Sequence, residues 1–561
     1  MVCPLTKTYT FKRSHSVRPY FSDMHSILLA LTSGILLGFA FPPYPFGLLS
    51  FVAFVPLMVL WIDRVPQFRK RHIVGLTYVT FFVFHGLTNW WVGSWQEHTD
   101  PYLMASGIAL WLGHPFFLAL PWYVLAYIRR RLGAGPMLWS SPFIVCAFEW
   151  LHGQTDASYP WLTTGMMTVN TPFAQAADIV GVYGLTFAVV LINALVVATY
   201  LAYRNAQRTT AIRLAIACLA VLLPWCIYGV VASSRTYGYD YDQDVKVHLV
   251  QPNIDPWDKW SDPRVQVAAH IRLEDSILAT GNRPDIVVWS ETAIPFAIRG
   301  SNNAPEFAAL RTWVDTSRIA LLTGYSDVMV YAPSAAPPSA RRSKIDSTQR
   351  FDSFNAAMVL QSGQAVIPVH RKSMLTPFAE RLPFADDLTF AMDWFQWGVG
   401  ISSWGKGPTR EPLPVVVGAK TLRVGTIICI ESIYPQVARD MVRNGADVLC
   451  VITNDAWYNG TIGPRQHFDI ARMRAIEQRR WIMRCANSGV TGFISPNGNN
   501  NSGTAVVTAP EQVATVCSGT VKSVKHRTLY NRAGDVVPYA SAFATICIAV
   551  FSVIKRKQRV L

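Results

Sequence analysis

The sequence predicts an α-helical membrane bundle of about eight spans joined to a layered α/β domain. Three observations lead there. Apolar residues make up 51% of the 561 residues and charged ones only 15%, against about 25% charged in ordinary soluble proteins. The mean hydropathy is positive, +0.22. Long apolar runs fill the first 232 residues and return near the far end, whereas the stretch between carries short β-rich runs alternating with helical segments. Disorder needs low hydrophobicity and high charge, so it is excluded. Nine scattered cysteines with no CxxC pair exclude a disulfide scaffold and a zinc ribbon.

Residues 1–232 are expected to hold about seven spans, near 25–41, 47–62, 73–93, 102–128, 136–152, 175–203 and 212–232, of roughly spanning length with the second and fifth short. An eighth lies near 537–554, within a last segment 536–561 that ends in a basic tail. The net charge of +15 is partitioned unevenly: residues 1–232 with 536–561 hold 18 Lys/Arg against 7 Asp/Glu, and residues 233–535 hold 32 against 28. The basic excess sits in clusters (Lys7, Lys12, Arg13 and Arg18; Arg64, Arg69, Lys70 and Arg71; Arg129, Arg130 and Arg131; Arg204, Arg208 and Arg213) that alternate with loops lacking Lys and Arg. Basic loops mark the cytoplasmic side. Both chain ends are therefore expected in the cytoplasm, with residues 233–535 on the outer face. No RRM, zinc-finger or helix-turn-helix pattern supports nucleic acid. The first span has a basic flank but no small-x-small cleavage site before PPYPFG, and it is read as retained. Glu149, near the end of span five, is read as solvated or capping at the outer interface, with a functional intramembrane carboxylate as the alternative. Glu149 and Asp178 stand out as span carboxylates with no basic partner inside a span.

In the outer domain, Val245, Val247 and Leu249 alternate as in a half-buried strand. Further strands are expected at 285–290, 318–325, 355–361, 365–371, 413–417, 422–431, 446–455, 481–487, 491–498 and 504–509, and helices near 262–280, 304–316, 434–444 and 465–480. Such alternation argues for a layered α/β domain. The Pro/Ser/Ala-rich segment 331–350 reads as an exposed inserted loop.

Three reactive side chains fall at or near strand ends: Glu291 after DIVVWS, Lys372 after AVIPVHR and Cys429 near the end of LRVGTIICIE. Ligands of α/β sheets bind beyond the carboxyl ends of strands. If these strands are neighbours, a carboxylate can take the thiol proton, and an ammonium can favour the thiolate and stabilise an oxyanion. The outcome is an acyl-thioester. Each residue alone has a plainer reading: a buried hydrophobe, a solvated lysine, a strand-end cap. There is no HExxH, GxSxG or Walker A loop. His248, His270, His370 and His467 are not at metal-ligand spacing; no cofactor or metal is expected.

The segments QPNIDPWDKW, VVWSETAIP, HRKSMLTPFAERLPF, GTIICIES, ITNDAWYNGTIGPRQHFDIARMRAIEQRRWIMRCANSG and YPWLTTGMMTVNTPFAQAADIVGVYGLTF together resemble the apolipoprotein N-acyltransferases, the integral membrane branch of the nitrilase superfamily. The resemblance covers nearly the whole chain. It implies an αββα nitrilase-like sandwich, periplasmic, on a bacterial inner membrane, with Glu291 as general base, Lys372 as oxyanion stabiliser and Cys429 as nucleophile. It places Glu380 as the residue orienting Lys372, Glu431 and Trp260 on further family positions, and Asn454, Asp455 and Trp457 in a pocket-shaping motif. It implies ping-pong transfer from a phospholipid, phosphatidylethanolamine foremost, to the α-amine of an S-diacylglyceryl cysteine of an apolipoprotein. The sequence departs from the family pattern at Ile430, at Ala379 and at SPNG, residues 495–498. These departures bear on substrate preference and pocket shape.

Residues 376–405 carry Phe378, Phe384, Phe390, Met392, Trp394, Phe395, Trp397 and Trp404. Aromatics favour the membrane interface, so this segment is read as a flap over a lipid-facing entrance, or else as a loop packed on its own domain. Cys450, Cys485 and Cys517 are expected buried and reduced. Two rivals remain: a membrane-tethered nitrilase-type amidase or hydrolase using the same trio with water as acceptor, and a polytopic transporter or receptor, which would need paired intramembrane charges.

Overall fold

The computed structural model describes residues 19–96, 99, 101–234, 244–257, 262–332, 334–343, 346, 348–390, 404–499, 508–509 and 511–557. Seven helices come first: α1 (Pro19–Ala40), α2 (Val55–Arg64), α3 (Lys70–Thr88), α4 (Pro101–Leu132), α5 (Ala134–His152), α6 (Ala177–Arg204) and α7 (Arg208–Ser234). The α/β part follows: β1 (Asp244–Gln251), α8 (Pro263–Leu278), β2 (Ile286–Trp289), α9 (Ala304–Ser317), β3 (Ala320–Tyr331), β4 (Arg341–Arg342), β5 (Arg350–Leu360), β6 (Val369–Arg371), β7 (Leu413–Val417), β8 (Lys420–Ile428), α10 (Pro435–Arg443), β9 (Val448–Thr453), α11 (Gly463–Gln478), β10 (Ile482–Ala486), β11 (Gly492–Ile494), β12 (Thr515–Lys522) and α12 (Leu529–Ala533). The last helix, α13 (Val536–Lys557), returns to the first seven and packs on α5 and α6.

Length and hydropathy mark five helical segments as able to cross a membrane: Gly47–Arg64, Leu103–Leu132, Pro172–Arg204, Arg208–Ser234 and Val536–Lys555, with Met24–Ala40 a shorter apolar helix. The α3 and α5 helices pack among them. Large apolar side chains point outward along α7 (Ile212, Ile216, Leu219, Leu223, Ile227) and α13 (Phe543, Ile546, Val550, Ile554), as a lipid-facing surface requires. One end of the bundle gathers basic loops. Arg129 donates to the Ile62 carbonyl at the end of α2 through Nε and Nη2 (3.1 and 2.7 Å), and Arg204 pairs with Asp63 at 2.7 Å. The α/β domain sits on the opposite end, where Tyr434 meets Ser158 and Gln436 meets Gly153.

Glu149 is not a solvated interfacial carboxylate. Its oxygens accept from Thr164 N (3.0 Å), Thr164 Oγ1 (2.5 Å) and Thr186 Oγ1 (2.6 Å). It caps the 3₁₀ turn Thr164–Thr168 from the neighbouring helix α5, in keeping with the capping half of the expectation.

The α/β domain contains two sheets. One runs β12-β1-β2-β3-β5-β4 with β6 on β5; the other runs β11-β10-β9-β8-β7. They face each other through Val247, Leu249, Val288 and Leu322 on one side and Val424, Ile428, Cys450, Ile452 and Met483 on the other. The outer face of the first sheet carries Trp289 and Leu321 against Leu310 and Val314 of α9. The outer face of the second carries Ile427, Leu449 and Val451 against Val437, Met441, Ala471 and Ile476 of α10 and α11. Central strands buried on both faces read as unbroken apolar runs, and β9 (VLCVIT) is buried at every position. The result is an αββα sandwich.

The α10–α11 layer is also the floor of the bundle: one continuous apolar core runs from α2, α5 and α6 through Ile433, Val437 and Phe468 into β8 and β9. Helix α11 is accordingly buried over 14 of its 16 residues. Its polar side chains find partners across the seam. Gln466 Oε1 accepts from the indoles of Trp91 and Trp161, both at 3.0 Å. Glu477 Oε1 accepts from Val182 N at 2.8 Å, just past Gly181, whose φ of 68° breaks α6; the carboxylate caps the restarted helix from another domain. Just beyond α11, Arg479 pairs with Asp178 at 2.8 Å. Asp178 therefore has its basic partner, supplied by the α/β domain rather than by a span.

Several expected boundaries move. The strand expected at 365–371 shortens to Val369–Arg371. Strand β8 stops at Ile428, so Cys429 lies in a turn and not in the strand. The 331–350 segment is not simply an exposed loop, because Arg341–Arg342 pairs with β5 and Ala340 is buried. Strand β12, absent from the expectation, pairs antiparallel with β1 along its whole length. The strand expected at 504–509 lies largely outside the described residues, and Thr508 and Ala509 are not in a strand. Cys450, Cys485 and Cys517 are buried and form no disulfide among the described residues.

Candidate active site

Glu291 follows β2 by one residue and rests on a close approach between strands. A side chain at Gly324 of β3 would sit 2.6 Å from both Ser290 O and Thr292 N, so the glycine is what lets β3 run directly beneath the carboxylate. Glu291 is nearly buried, with 7% exposure. Its Oε1 accepts from Asn355 Nδ2 at 2.7 Å and from Lys372 Nζ at 3.3 Å, and its Oε2 from Asn454 N at 3.0 Å.

Lys372 follows β6, and its backbone N–H donates to Asn355 O at 2.8 Å, extending the β5–β6 ladder. The ammonium is fully enclosed and lies 2.9 Å from Glu380 Oε1. Asn355 Nδ2 also reaches Glu380 Oε1 at 3.2 Å, so one amide braces both carboxylates around one ammonium. Glu380 Oε2 accepts from Thr376 N and Oγ1 at 2.8 and 2.9 Å. Burial alone would lower the lysine pKa, but Glu380, Glu291 and the Cys429 sulfur outweigh it and hold it above the ordinary lysine value. Burial likewise opposes the charged form of Glu380, and Lys372 with the Thr376 N–H holds it below the usual carboxylate range.

Cys429 opens the 3₁₀ turn Cys429–Ile433 with φ of 52°. A left-handed non-glycine residue costs about 1–2 kcal/mol, and such strain clusters at functional sites. The residue is half-buried rather than sealed. Burial, then the Glu291 charge, raise the thiol pKa far above the free-cysteine value; Lys372 and a hydrogen bond to Thr453 pull the other way without reversing it.

Glu431, two residues on, ties the Cys429 turn to the loop that follows Lys372. Its Oε1 accepts from Ser373 N (2.6 Å), Ser373 Oγ (2.7 Å) and Met374 N (3.2 Å), and its Oε2 from Ile428 N (2.8 Å) and His370 Nε2 (3.4 Å). Burial opposes the charge, but His370 and the backbone N–H groups bring the pKa down to about 2.

Of the remaining expected residues, Asn454 meets Glu291 through its backbone and accepts from Asn487 Nδ2 at 3.0 Å through its side chain. Asp455 points behind the site to Arg484 (2.7 Å) and His467 (2.9 Å). Burial opposes its charge, yet these two partners hold it well below the usual carboxylate range. Trp457 packs edge-on against Trp257 at 5.0 Å between ring centroids. Trp260, Met392, Trp394, Phe395 and Trp397 lie outside the described residues. Phe378, Phe384 and Phe390 are exposed, and Trp404 N donates to Glu380 O at 3.0 Å. Asn355 was not singled out from the sequence; its only signal was a polar residue opening an apolar strand. Among the described residues, no group of three or more His, Cys, Asp or Glu could hold a metal ion.

Comparison with known proteins gives two family matches. Residues 33–195 match the apolipoprotein N-acyltransferase N-terminal domain, and residues 246–548 match carbon-nitrogen hydrolase. Curated relatives named apolipoprotein N-acyltransferase include one from Chlorobaculum tepidum, 30% identical over 94% of this chain and 97% of its own length. Another, from Geobacter metallireducens, is 30% identical over 94% of each chain. A third, from Azotobacter vinelandii, is 31% identical over 84% of this chain and 85% of its own.

Proposed function

The chain belongs to the apolipoprotein N-acyltransferase family, and from that premise we propose that it moves an acyl chain from a phospholipid to the N-terminal S-diacylglyceryl cysteine of an apolipoprotein, through a thioester on Cys429. It is an acyltransferase and a membrane protein. The donor put forward is phosphatidylethanolamine.

In the first half-reaction Glu291 takes the thiol proton as Sγ attacks the ester carbonyl carbon. The oxyanion forms beside Lys372. The carbon–oxygen bond breaks, Glu291 returns the proton to the departing lysophospholipid oxygen, and the acyl group stays on sulfur. In the second half-reaction the α-amine attacks the thioester, Glu291 receives the amine proton, and the sulfur leaves and is reprotonated. Glu380 and Asn355 keep the ammonium and the base in register throughout. The observation that carries this reading is the enclosed Glu291–Lys372–Glu380 cluster in electrostatic reach of a half-buried thiol on a strained turn.

The basic loops at the bundle end opposite the α/β domain support an orientation with the site in the periplasm and the chain ends in the cytoplasm of a bacterial inner membrane. The exposed Phe378, Phe384 and Phe390 beside the lysine loop support an apolar lip where lipid enters; replacing Trp394 and Trp397 by serine should slow transfer from bilayer lipid, and an unchanged rate would remove the flap from this account. The central test is intact-mass measurement after incubation with phosphatidylethanolamine. Wild type should gain one acyl mass and Cys429→Ser none. Lysophospholipid release with no amide product on a diacylglyceryl peptide would instead make the protein a hydrolase.

A further inference from the structure

We infer that His467 is a positioning residue for the nucleophile, carrying the contact between the bundle and α11 into the turn that presents Cys429. The inference rests on the reading of Cys429 as the acylated residue. His467 is 3% exposed and lies in the first turns of α11. Its Nε2 is 3.1 Å from Cys429 O and 2.8 Å from Ser432 Oγ, so one ring nitrogen spans the turn from its first residue to its fourth. Its Nδ1 is 2.9 Å from Asp455 Oδ1, and Asp455 is fixed in turn by Arg484 Nη2 at 2.7 Å and Thr453 Oγ1 at 2.9 Å.

Asp455 therefore reaches the Cys429 turn through His467, by way of the Cys429 carbonyl. The imidazole itself is wedged from the membrane side by the Trp161 ring, 5.5 Å away between centroids. The residue before it, Gln466, is clamped by Trp91 and Trp161 and donates to Thr88 O at 2.9 Å. A left-handed cysteine persists only where its surroundings over-determine it, and these contacts supply that constraint. Among the described residues His467 hydrogen-bonds Ser432, Asp455 and the Cys429 carbonyl and not Glu291, Lys372 or Glu380, so its effect on chemistry passes through the backbone of Cys429.

Two amides separate the positioning bond from the supporting one. In His467→Gln the side-chain nitrogen reaches the place of Nε2 and can donate to Cys429 O; in His467→Asn it reaches only the place of Nδ1 and can satisfy Asp455 alone. The full-length protein in detergent would be measured three ways: single-turnover acyl adduct from phosphatidylethanolamine, alkylation of Cys429 by iodoacetamide located by peptide mass, and thermal unfolding. His467→Ala and His467→Asn should slow both reactions about 100-fold, as expected for roughly 1 Å of misplacement, with the half-saturating lipid concentration unchanged and His467→Gln within about tenfold of wild type. Equal rates for the Asn and Gln variants, or an Ala variant within about threefold of wild type, would overturn the proposal. Alkylation in the expected order with no acyl adduct on any variant, wild type included, would uphold the positioning role and refute the thioester reading.

Discussion

Replacing Glu431 by Gln keeps the shape of the side chain and removes its charge, and the structure fixes what that should do. The carboxylate offers two acceptor oxygens to five donors on two separate segments. A glutamine keeps one oxygen. With that oxygen on Ser373 and Met374, its NH2 faces the Ile428 N–H, donor against donor. One charge-assisted bond is lost, about 1.5–3 kcal/mol, and one buried N–H is left unpaired, about 1–3 kcal/mol, so the variant should lose about 3–5 kcal/mol. The depressed pKa gives the same scale independently: a fall from 4.5 to about 2 corresponds to about 3 kcal/mol favouring the ionised, folded form. Thermal unfolding should drop by about 6–10 °C. The acyl-adduct rate should fall about 100-fold, because the Cys429 turn and the loop after Lys372 are no longer tied. An unfolding temperature within about 1 °C of wild type, with an adduct rate within about threefold, would show that this carboxylate does not couple the two segments.

The same residue sets an acid limit. Its folded-state pKa lies below the unfolded one, so protonation favours the unfolded chain; its contribution should be complete above about pH 4.5 and vanish as pH falls toward about 2, a loss in acid unfolding midpoints that Glu431→Gln should abolish. Asn355→Asp places a third carboxylate against one ammonium and should cut the adduct rate about 100-fold with the fold intact by circular dichroism; a rate near wild type would refute the bracing role. Gly324→Ala should displace Glu291, since the new methyl would sit 2.6 Å from flanking backbone atoms, lowering unfolding stability by about 1–3 kcal/mol as well as activity. Asp178→Asn leaves Arg479 buried without its counter-charge and should destabilise by about 3–5 kcal/mol, read as loss of the seam between bundle and α/β domain in protease-accessibility assays.

What could be read from the chain, and what could not, follows from where each signal originates. The placing of Glu291, Lys372 and Cys429 on one side of the sandwich was legible because each falls at or near the end of an apolar strand, and strand ends are where an α/β site forms. The break before Cys429 was not, because Ile427, Ile428, Cys429 and Ile430 are apolar without interruption; the turn is imposed by Glu431 accepting the Ile428 N–H. Strand β12 hid for a different reason. Only Cys517 and Val521 of its eight residues are buried, and Gly519 packs against the Phe493 ring, so no alternation shows; its pairing with β1 spans the whole domain. Asn355 acquires its role only through the register that lays β5 beside β3 and β3 beside β2. The partners of Glu149 and Asp178 were invisible because they come from a different helix and a different domain.

A soluble amidase can turn its outer helices to water; this chain has given one of those helices away. Were proteases to cut both ahead of Asp244 and ahead of Val536, nothing active should be shed into solution, because Gln466, Glu477 and Arg479 would be torn from the indoles, the helix cap and the aspartate that satisfy them. Attachment to the bilayer is thus part of how the enzyme is kept in working order, and extraction conditions that loosen the bundle should inactivate it before the sandwich itself melts.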